Sequence, residues 1–514
     1  MKTPKRINLN PDQVTDLLKR VENSSLQQGD YEIIKAMAET IHILSQAVNE
    51  KSTSIRRLLR MLFGPGTEKL EKVIKDQLRS SKTDNRKDQK PKGHGRNAAS
   101  DYTGADQVEV PHTTLKPRDP CPVCTKGKVY EMPVPTSVVR ITGKAPLQAT
   151  VYRMQKLRCN LCGEILKANP PPGIGQEKYD AASGTMIALL KYGSGLPFNR
   201  IEQLQQSVGV PLPASTQWEI VEQVADRIYP VFEELKRQAA QGDVLYNDDT
   251  TIKILSLMKE NEKAERKGMF TTGILSTAND RKIVLFFSGR KHSGENMADL
   301  LKKRKPNIRL PIQMCDALSR NTPKEFKTIL ANCLSHGRRK FADVTWNFPH
   351  QCRHVLETLA KVYGNDKIAK EKLMNPEKRL SFHQRKSKPL MDDLKKWLEQ
   401  QFEQKEVEPN SGLGEAITYM FKHWKPLTLF LRMANAPLDN NICERALKKA
   451  ILHRKNALFY KTEHGAFIGD LFMSLIHTCN LAGINPFDYI TALVNHSSVL
   501  FKHPEKWLPW NYKT

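Results

Sequence analysis

Three acidic residues stand where a metal-dependent phosphoryl transfer would need them. Asp248 follows the apolar run Val244-Leu245-Tyr246, and Asp316 closes a later run from Ile308 to Met314. Glu444 sits at the edge of a helical face made by Cys443, Ala446, Leu447, Ala450 and Ile451, with Asp439-Asn440 as the N-cap. Two aspartates on neighbouring strand ends can share a pair of hard cations, which prefer oxygen ligands. Such a pair can activate water or a 3′-hydroxyl on one side of a phosphodiester and stabilise the leaving oxygen on the other. A third carboxylate would approach from the helix, on which Arg445, Lys448, Lys449, Arg454 and Lys455 are spaced to track phosphates. The competing reading is compositional, because a chain with 55 acidic residues places some aspartates at strand ends by chance.

A second constellation is made of thiols. Cys121/Cys124 and Cys159/Cys162 form two CxxC pairs, and four thiolates close a tetrahedral Zn²⁺ site with no position left for a substrate. The stretch between the pairs alternates apolar and polar residues, like the strands of a zinc ribbon. A redox dithiol is the rival reading, but nothing around Cys121 resembles a βαβ unit. His336, Arg338 and Arg339 in SHGRRKF are candidates to position DNA phosphates, against the alternative of a solvated basic helix start.

Composition narrows the partners. Lys plus Arg number 81 against 55 acidic residues, a formal net charge of +26, which causes self-repulsion unless a polyanion shares the surface. Nucleic acid is therefore the first partner to expect. No apolar run is long enough to span a bilayer, and MKTPKRINLNPDQ shows no secretory signal. The other five cysteines (Cys315, Cys333, Cys352, Cys443, Cys479) are scattered singly. Together these point to a reducing, cytoplasmic setting.

The elements needed to position such residues are legible along the chain. Ile34, Met37, Ile41, Leu44, Val48, Ile55, Leu58 and Leu62 follow heptad spacing with Lys51 in the seam, which predicts a self-associating coiled coil within a helical region 1–79. The rival reading is a helix packed on its own chain. Residues 80–117 begin polar and basic, a linker, and 118–168 hold the zinc ribbon. A helical region 169–240 breaks at Gly193-Ser194-Gly195 and at Pro211 and Pro213. It restarts with Ser215 or Thr216 as N-cap, Glu219 completing a capping box with Thr216; this region is a candidate DNA binder. Strand texture then takes over in 241–345. Strands are expected around 244–246, over 268–276 and over 282–287, with a turn at Ala278-Asn279-Asp280-Arg281. A helix at 294–303, a strand at 308–314, a helix at 323–329 and a short run ending near Leu334 follow. Three strands, helix, strand, helix, strand is the order of the ribonuclease-H-like fold. Residues 346–430 read as a helical insertion, 431–475 as the last core helix, and 476–514 as a C-terminal segment. The expected class is multidomain α+β: a ribonuclease-H-like mixed α/β core with a helical insertion, preceded by coiled coil, zinc ribbon and helical DNA-binding region.

At these residues a resemblance becomes specific. The stretches LFGPGTEKL, CPVC with CNLCGE, KYGSGLPFNRIEQL, GVPLPASTQWE, NDDTTIKIL, CLSHGRRKF, PLDNNICERALK, RKNALFY, AGINPFDYI and LPWN resemble, in this order, the transposases of the IS66 family of bacterial insertion sequences. The resemblance implies an Asp-Asp-Glu catalytic core and carries its three acids to Asp248, Asp316 and Glu444. It implies Mg²⁺, or Mn²⁺ in its place, at those acids. The chain departs from the family where Asp248-Asp249-Thr250 replaces the usual Asp-Glu-Thr, which makes Asp249 the alternative ligand. It departs again at CPVCTKG, where Gly commonly follows the second Cys directly.

The expected function is DNA transposition: binding of the element's terminal inverted repeats, metal-dependent cleavage, and strand transfer into target DNA. Expected partners are DNA, further copies of the chain, and small accessory proteins of the same element, with no membrane; the setting is the bacterial nucleoid. A nuclease of the same fold and a non-catalytic transposase-derived DNA-binding protein are the competing functions.

Overall fold

The computed structural model describes residues 11–23, 25–27, 29–31, 33–35, 111, 114–124, 126–132, 145–158, 165–172, 177–260, 266–279 and 281–512. Most of the expected heptad, the basic linker from 80 to 106, and Cys159 and Cys162 lie outside the described residues. The chain forms two compact units, one of residues 82–309, 320–327 and 442–514, the other of residues 1–81, 310–319 and 328–441. It is a mixed α+β protein, with antiparallel strands in the larger unit and a parallel pair in the smaller.

In the larger unit a two-stranded hairpin, β1 (Lys156–Arg158) and β2 (Ile165–Lys167), flanks the second CxxC pair in sequence. The main sheet has β3 (Val244–Thr251), β4 (Phe270–Ala278) and β5 (Arg281–Gly289) in the order β5-β4-β3. Ala278 pairs with Arg281, so the turn is the two-residue one expected, and Asn279 takes the left-handed conformation at φ 51° that short polar side chains tolerate. The expected strand around 244–246 is longer than the apolar run suggested. It continues through Asp248 and Asp249 to Thr251, because Thr250 and Thr251 pair with Thr271 and Phe270 and β-branched residues suit the pleat.

Helices cover this sheet. α2 (Ala181–Ala188) runs into a π-helical turn at Leu189–Gly193, followed by α3 (Phe198–Ser207) and α4 (Ala214–Ala239). The expected capping box is displaced: α4 starts at Ala214 with Pro213 as N-cap, at φ −57° and ψ 146°. Proline's fixed φ matches that entry conformation, and the helix begins there without a side-chain cap, so Ser215 and Thr216 fall inside the first turn. α5 (Leu255–Lys259) is short, and α6 (Ser293–Leu301) opens on a His292/Glu295 capping box. After the smaller unit's residues come α13 (Asn441–Ala457), α14 (Glu463–Ala482), α15 (Pro486–Asn495) and α16 (Ser497–Leu500). The core joins Ile228, Phe232 and Leu235 of α4 to Ile274, Val284 and Phe286 of the sheet and Leu471, Phe472 and Leu475 of α14.

α14 also closes the free edge of β5. The backbone N–H groups of Val284, Phe286 and Ser288 donate to Thr478 Oγ1 (3.1 Å), Ser474 Oγ (2.9 Å) and Asp470 Oδ2 (2.6 Å). Four residues of helix advance about 6 Å and two of strand about 6.8 Å, so side chains at every fourth helix position meet every second amide. An open edge would otherwise template pairing with another chain.

The helix expected over residues 323–329 does not form. Residues 320–327 are instead held one at a time on the larger unit. Asn321 accepts from Asn247 Nδ2 through its carbonyl (2.8 Å), Phe326 packs on the core, and Ile329 already belongs to a strand.

The smaller unit contains α1 (Pro11–Glu22), where Arg20 pairs with Asp30. Its strands β6 (Ile312–Cys315) and β7 (Ile329–Asn332) are parallel, Cys315 opposite Asn332. The strand expected from 308 begins only at Ile312. α7 (Leu334–Val344), α8 (Pro349–Glu371), α9 (Pro376–Lys386), α10 (Lys388–Glu403), α11 (Gly412–Lys422) and α12 (Trp424–Leu427) follow, so the region expected to be a helical insertion is helical. A buried ionic cluster ties these helices together. Burial works against the charge of Asp366, yet hydrogen bonds and charge from His383, Arg379 and Lys370 hold its carboxyl well below the usual range. Arg379 also donates to the Ala436 carbonyl (3.0 Å), anchoring the strap that leads toward α13.

Candidate active site

Strand alternation separates the two aspartates of β3. Asp248 pairs with Gly273 and Asp249 with Thr272, and successive side chains of a strand face opposite sides. On the Asp248 side α13 lies directly on the sheet. The Cys443 thiol donates to the Gly273 carbonyl (3.4 Å), and a Cβ added at Gly273 would lie 3.0 Å from Leu447 Cγ. A glycine inside the β-branched run Thr271-Thr272-Gly273-Ile274 is the signal for such a close approach. Burial pushes the Cys443 thiol well above its ordinary pKa, and the charges of Asp248 and Glu444 push it further. Asp248 and Glu444 thus both act electrostatically on one buried thiol.

The buried face of α13 is Cys443, Ala446, Leu447, Ala450 and His453. His453 replaces the expected Ile451, which is half-buried, as is Glu444. Arg445, Lys448, Lys449 and Lys455 are exposed. Arg454 points back instead, donating to Thr250 Oγ1 (3.0 Å) and Thr251 Oγ1 (2.8 Å) at the end of β3.

Asp249 lies on the other face, its side chain 2 % exposed. Its carboxylate meets His292 Nδ1 at 3.1 Å and Arg320 at 3.4 Å. Beside it, Asn247 Nδ2 donates to Ser293 Oγ (3.0 Å), and Asn296 Nδ2 donates to Thr272 Oγ1 (2.8 Å). This polar layer, absent from the expectations of sequence, pins β3 to the start of α6. Only the alternation of Asn247, Asp248 and Asp249 on one strand hinted at it.

Asp316 belongs to the smaller unit and directly follows β6, as expected. Its Oδ1 accepts from Leu318 N (3.2 Å), and its carbonyl accepts from Asn332 Nδ2 (3.4 Å). Beside it β7 leads into α7, where His336, Arg338 and Arg339 are half-buried. The Cys333 Sγ accepts from Asn440 N (3.2 Å) and Leu334 N donates to Leu438 O (3.0 Å), so the strap before α13 crosses the start of α7. Asp248 and α13, the helix bearing Glu444, thus share one face of the sheet in the larger unit, and Asp316 lies on the β6–β7 pair of the smaller.

Residues 179–467 match the family described as Transposase IS66 family. The chain belongs to the IS66 transposase family. Three uncharacterized proteins of Sinorhizobium fredii are similar to it. One, y4hP, is 26 % identical over 443 residues, covering 79 % of this chain and 76 % of its own length. Another, y4jD, is 31 % identical over 188 residues, 36 % of each chain, and y4qI is 23 % identical over 338 residues, 64 % of this chain and 61 % of its own. The IS66 match spans Asp248, Asp316 and Glu444, and stops inside α14. Among the described residues no helix is long and apolar enough to cross a membrane.

The close seat of α13 on β4 is a point at which this IS66 arrangement can be broken. Gly273→Val should cost about 1–3 kcal/mol by overpacking and displace Leu447, moving Glu444 relative to Asp248. Thermal unfolding measures the first effect. A variant as stable as the parent would mean that α13 is not seated by this glycine.

Of the four thiols in the two CxxC pairs, Cys121 and Cys124 are described. Cys121 N donates to Gly127 O (2.8 Å), and the strip closes at a Pro120–Lys128 bridge. Hydrogen bonds from the backbone of Gly127 and Lys126 and from Cys121 hold the Cys124 thiol below its ordinary value. Amides aimed at a sulfur favour the thiolate, the form that binds metal.

Proposed function

We propose that this IS66 family chain binds the ends of an insertion sequence and catalyses DNA cleavage and strand transfer, with Asp248, Asp316 and Glu444 as the ligands of two Mg²⁺ ions, or Mn²⁺ in their place, on a ribonuclease-H-like core. The observation that carries this reading is the placement of Asp248 on the sheet face covered by α13, the helix that bears Glu444, while Asp249 is turned to the opposite face. The donors fit the metal: carboxylate oxygens suit a hard cation, and the neighbouring thiol is kept protonated by burial. Bound there, magnesium would supply activation of water or a 3′-hydroxyl and stabilisation of the leaving oxygen. Asp248 is oriented by the pinning of β3 on its far side, and Glu444 by the seat of α13 on Gly273. Arg445, Lys448, Lys449 and Lys455 face outward from the helix that bears Glu444 and bind phosphate, as do His336, Arg338 and Arg339 on α7. Arg454 acts differently, holding the end of β3.

The supporting regions are part of the same proposal: a self-associating N-terminal helix, a basic linker, a zinc ribbon over 118–168 and a helical DNA-binding region over 169–240. Incubation of the full chain with duplexes carrying the inverted repeats that flank its gene tests the whole. Mg²⁺-dependent nicks at the repeat ends and joined products are expected; nicks without joining would instead make it a nuclease. For the ribbon, one equivalent of zinc per chain is expected, with Cys121, Cys124, Cys159 and Cys162 as ligands. Cys121→Ser should release it while the main unfolding transition stays in place. Folded protein free of zinc in elemental analysis would remove the ribbon from the proposal.

A further inference from the structure

The segment joining α13 to α14 presents an apolar tip that packing does not account for. Leu458 is 63 % exposed and Phe459 44 % exposed, and Leu458 holds the left-handed backbone at φ 67°, a conformation that disfavours a leucine. The tip is held on both sides. Leu458 N donates to Arg454 O (2.9 Å), Tyr460 N to Lys253 O (2.9 Å), Leu255 N to Tyr460 O (2.9 Å) and Ser256 N to Lys461 O (3.1 Å). Tyr460 anchors it from below: the ring is buried, stacks on His453 at 4.8 Å, and lies where any side chain at Gly469 would collide. Strain of this kind persists only where the surroundings impose it, and it concentrates at functional sites.

The surroundings of the tip are cationic. Lys455, Lys461 and Lys253 are exposed beside it, and Lys448 and Lys449 extend the same charge along α13. We propose that Leu458 and Phe459 form a wedge that takes up an unstacked base of the DNA strand, with the flanking lysines on its phosphates. The inference rests on the transposase reading and adds to it a site for a base where that reading supplied only phosphates and metal. Aromatic rings stack on any base, and apolar side chains set among cations can enter a base step and open it. Placement at the far end of the helix bearing Glu444 gives a strand that crosses the carboxylates a second fixed point along α13.

The test uses the full chain without divalent metal, a forked duplex carrying 2-aminopurine in its unpaired arm, and a fully paired duplex of the same sequence. The unsubstituted protein should bind the fork more tightly and quench 2-aminopurine on binding. Phe459→Ala should lower fork affinity on the order of tenfold and abolish the quench, while the dependence on salt stays as it was. Phe459→Trp should restore both. Lys455→Gln should behave in the opposite manner, reducing the salt slope by about one contact and keeping the quench. Leu458→Asn provides a readout that a purely structural role would not give: asparagine suits the left-handed backbone, so the melting temperature should rise while fork preference falls. Equal affinity of Phe459→Ala and the parent for the fork overturns the proposal. So does a change in sedimentation of Phe459→Ala with DNA binding intact, which would make the tip a protein contact. Binding of fork and duplex with equal affinity removes the wedge alone, whereas failure to bind any DNA removes the transposase reading with it.

Discussion

Asp248→Asn and Glu444→Gln are each expected to lower metal-dependent DNA cleavage by on the order of 10²-fold or more, with folding and binding to the element's ends retained. Each change keeps the shape of the side chain and removes the charge that holds a hard cation. Asp316→Asn should do the same if its position after β6 serves the same ions. The neighbouring residue is the control. Asp249 faces the other side of β3, against His292 and Arg320, so Asp249→Asn should weaken that layer by about 1–3 kcal/mol and leave substantial cleavage. Assays of cleavage and melting on the four variants separate the roles. If Asp249→Asn abolishes cleavage and Asp248→Asn does not, the first ligand is displaced by one residue. If no variant loses cleavage, the carboxylates do not carry the reaction.

Asp470→Asn is expected to stabilise the protein in mild alkali. Asp470 is buried at the edge of β5, and burial pushes its pKa up to about 7 despite hydrogen bonds from the Ser288 hydroxyl and amide. An unfolded aspartate titrates near about 3.9. The folded chain therefore binds the extra proton between those values, so its stability falls as pH rises from about 4 to about 7 and levels off above. The displacement corresponds to on the order of 4 kcal/mol. Asparagine can still accept from the Ser288 amide, and its own amide can donate to the hydroxyl, without a charge to bury. The variant should melt higher than the parent at pH 8, and the two should converge toward pH 4. Parallel melting curves across that range would show that Asp470 is not the group responsible.

Local information carried part of this architecture. The turn at Asn279-Asp280 was legible because two-residue hairpins demand residues that tolerate positive φ, and β4 and β5 followed from their β-branched runs. The helix bearing Glu444 was legible from its apolar spacing, and the chain's basic charge pointed to nucleic acid without reference to any fold. Local signals failed where several choices were near equal in energy. Ser215 and Thr216 offered side-chain caps, but Pro213 already held the entry conformation. The stretch after Pro323 could supply at most two helical turns, too few to hold against the individual contacts of Asn321 and Phe326.

What sequence alone determined was the set of chemical types and their periodicity: three acids on ordered elements, cysteines in pairs, and a basic face on one helix. It could not determine whether Asp248 or Asp249 lies on the side of the helix that bears Glu444. That depends on the face of the sheet that α13 covers, and α13 is separated from β3 by almost two hundred residues of chain. Tertiary packing decided it through Gly273, the position where β4 has no side chain to keep Cys443 and Leu447 away. The same is true of the β5 edge, where Asp470, Ser474 and Thr478 read as ordinary polar residues of a helix. Their role exists only once the edge amides of β5 lie opposite them. Backbone preferences act over a few residues, whereas the partner of a side chain is set by contacts that form only when distant segments fold together.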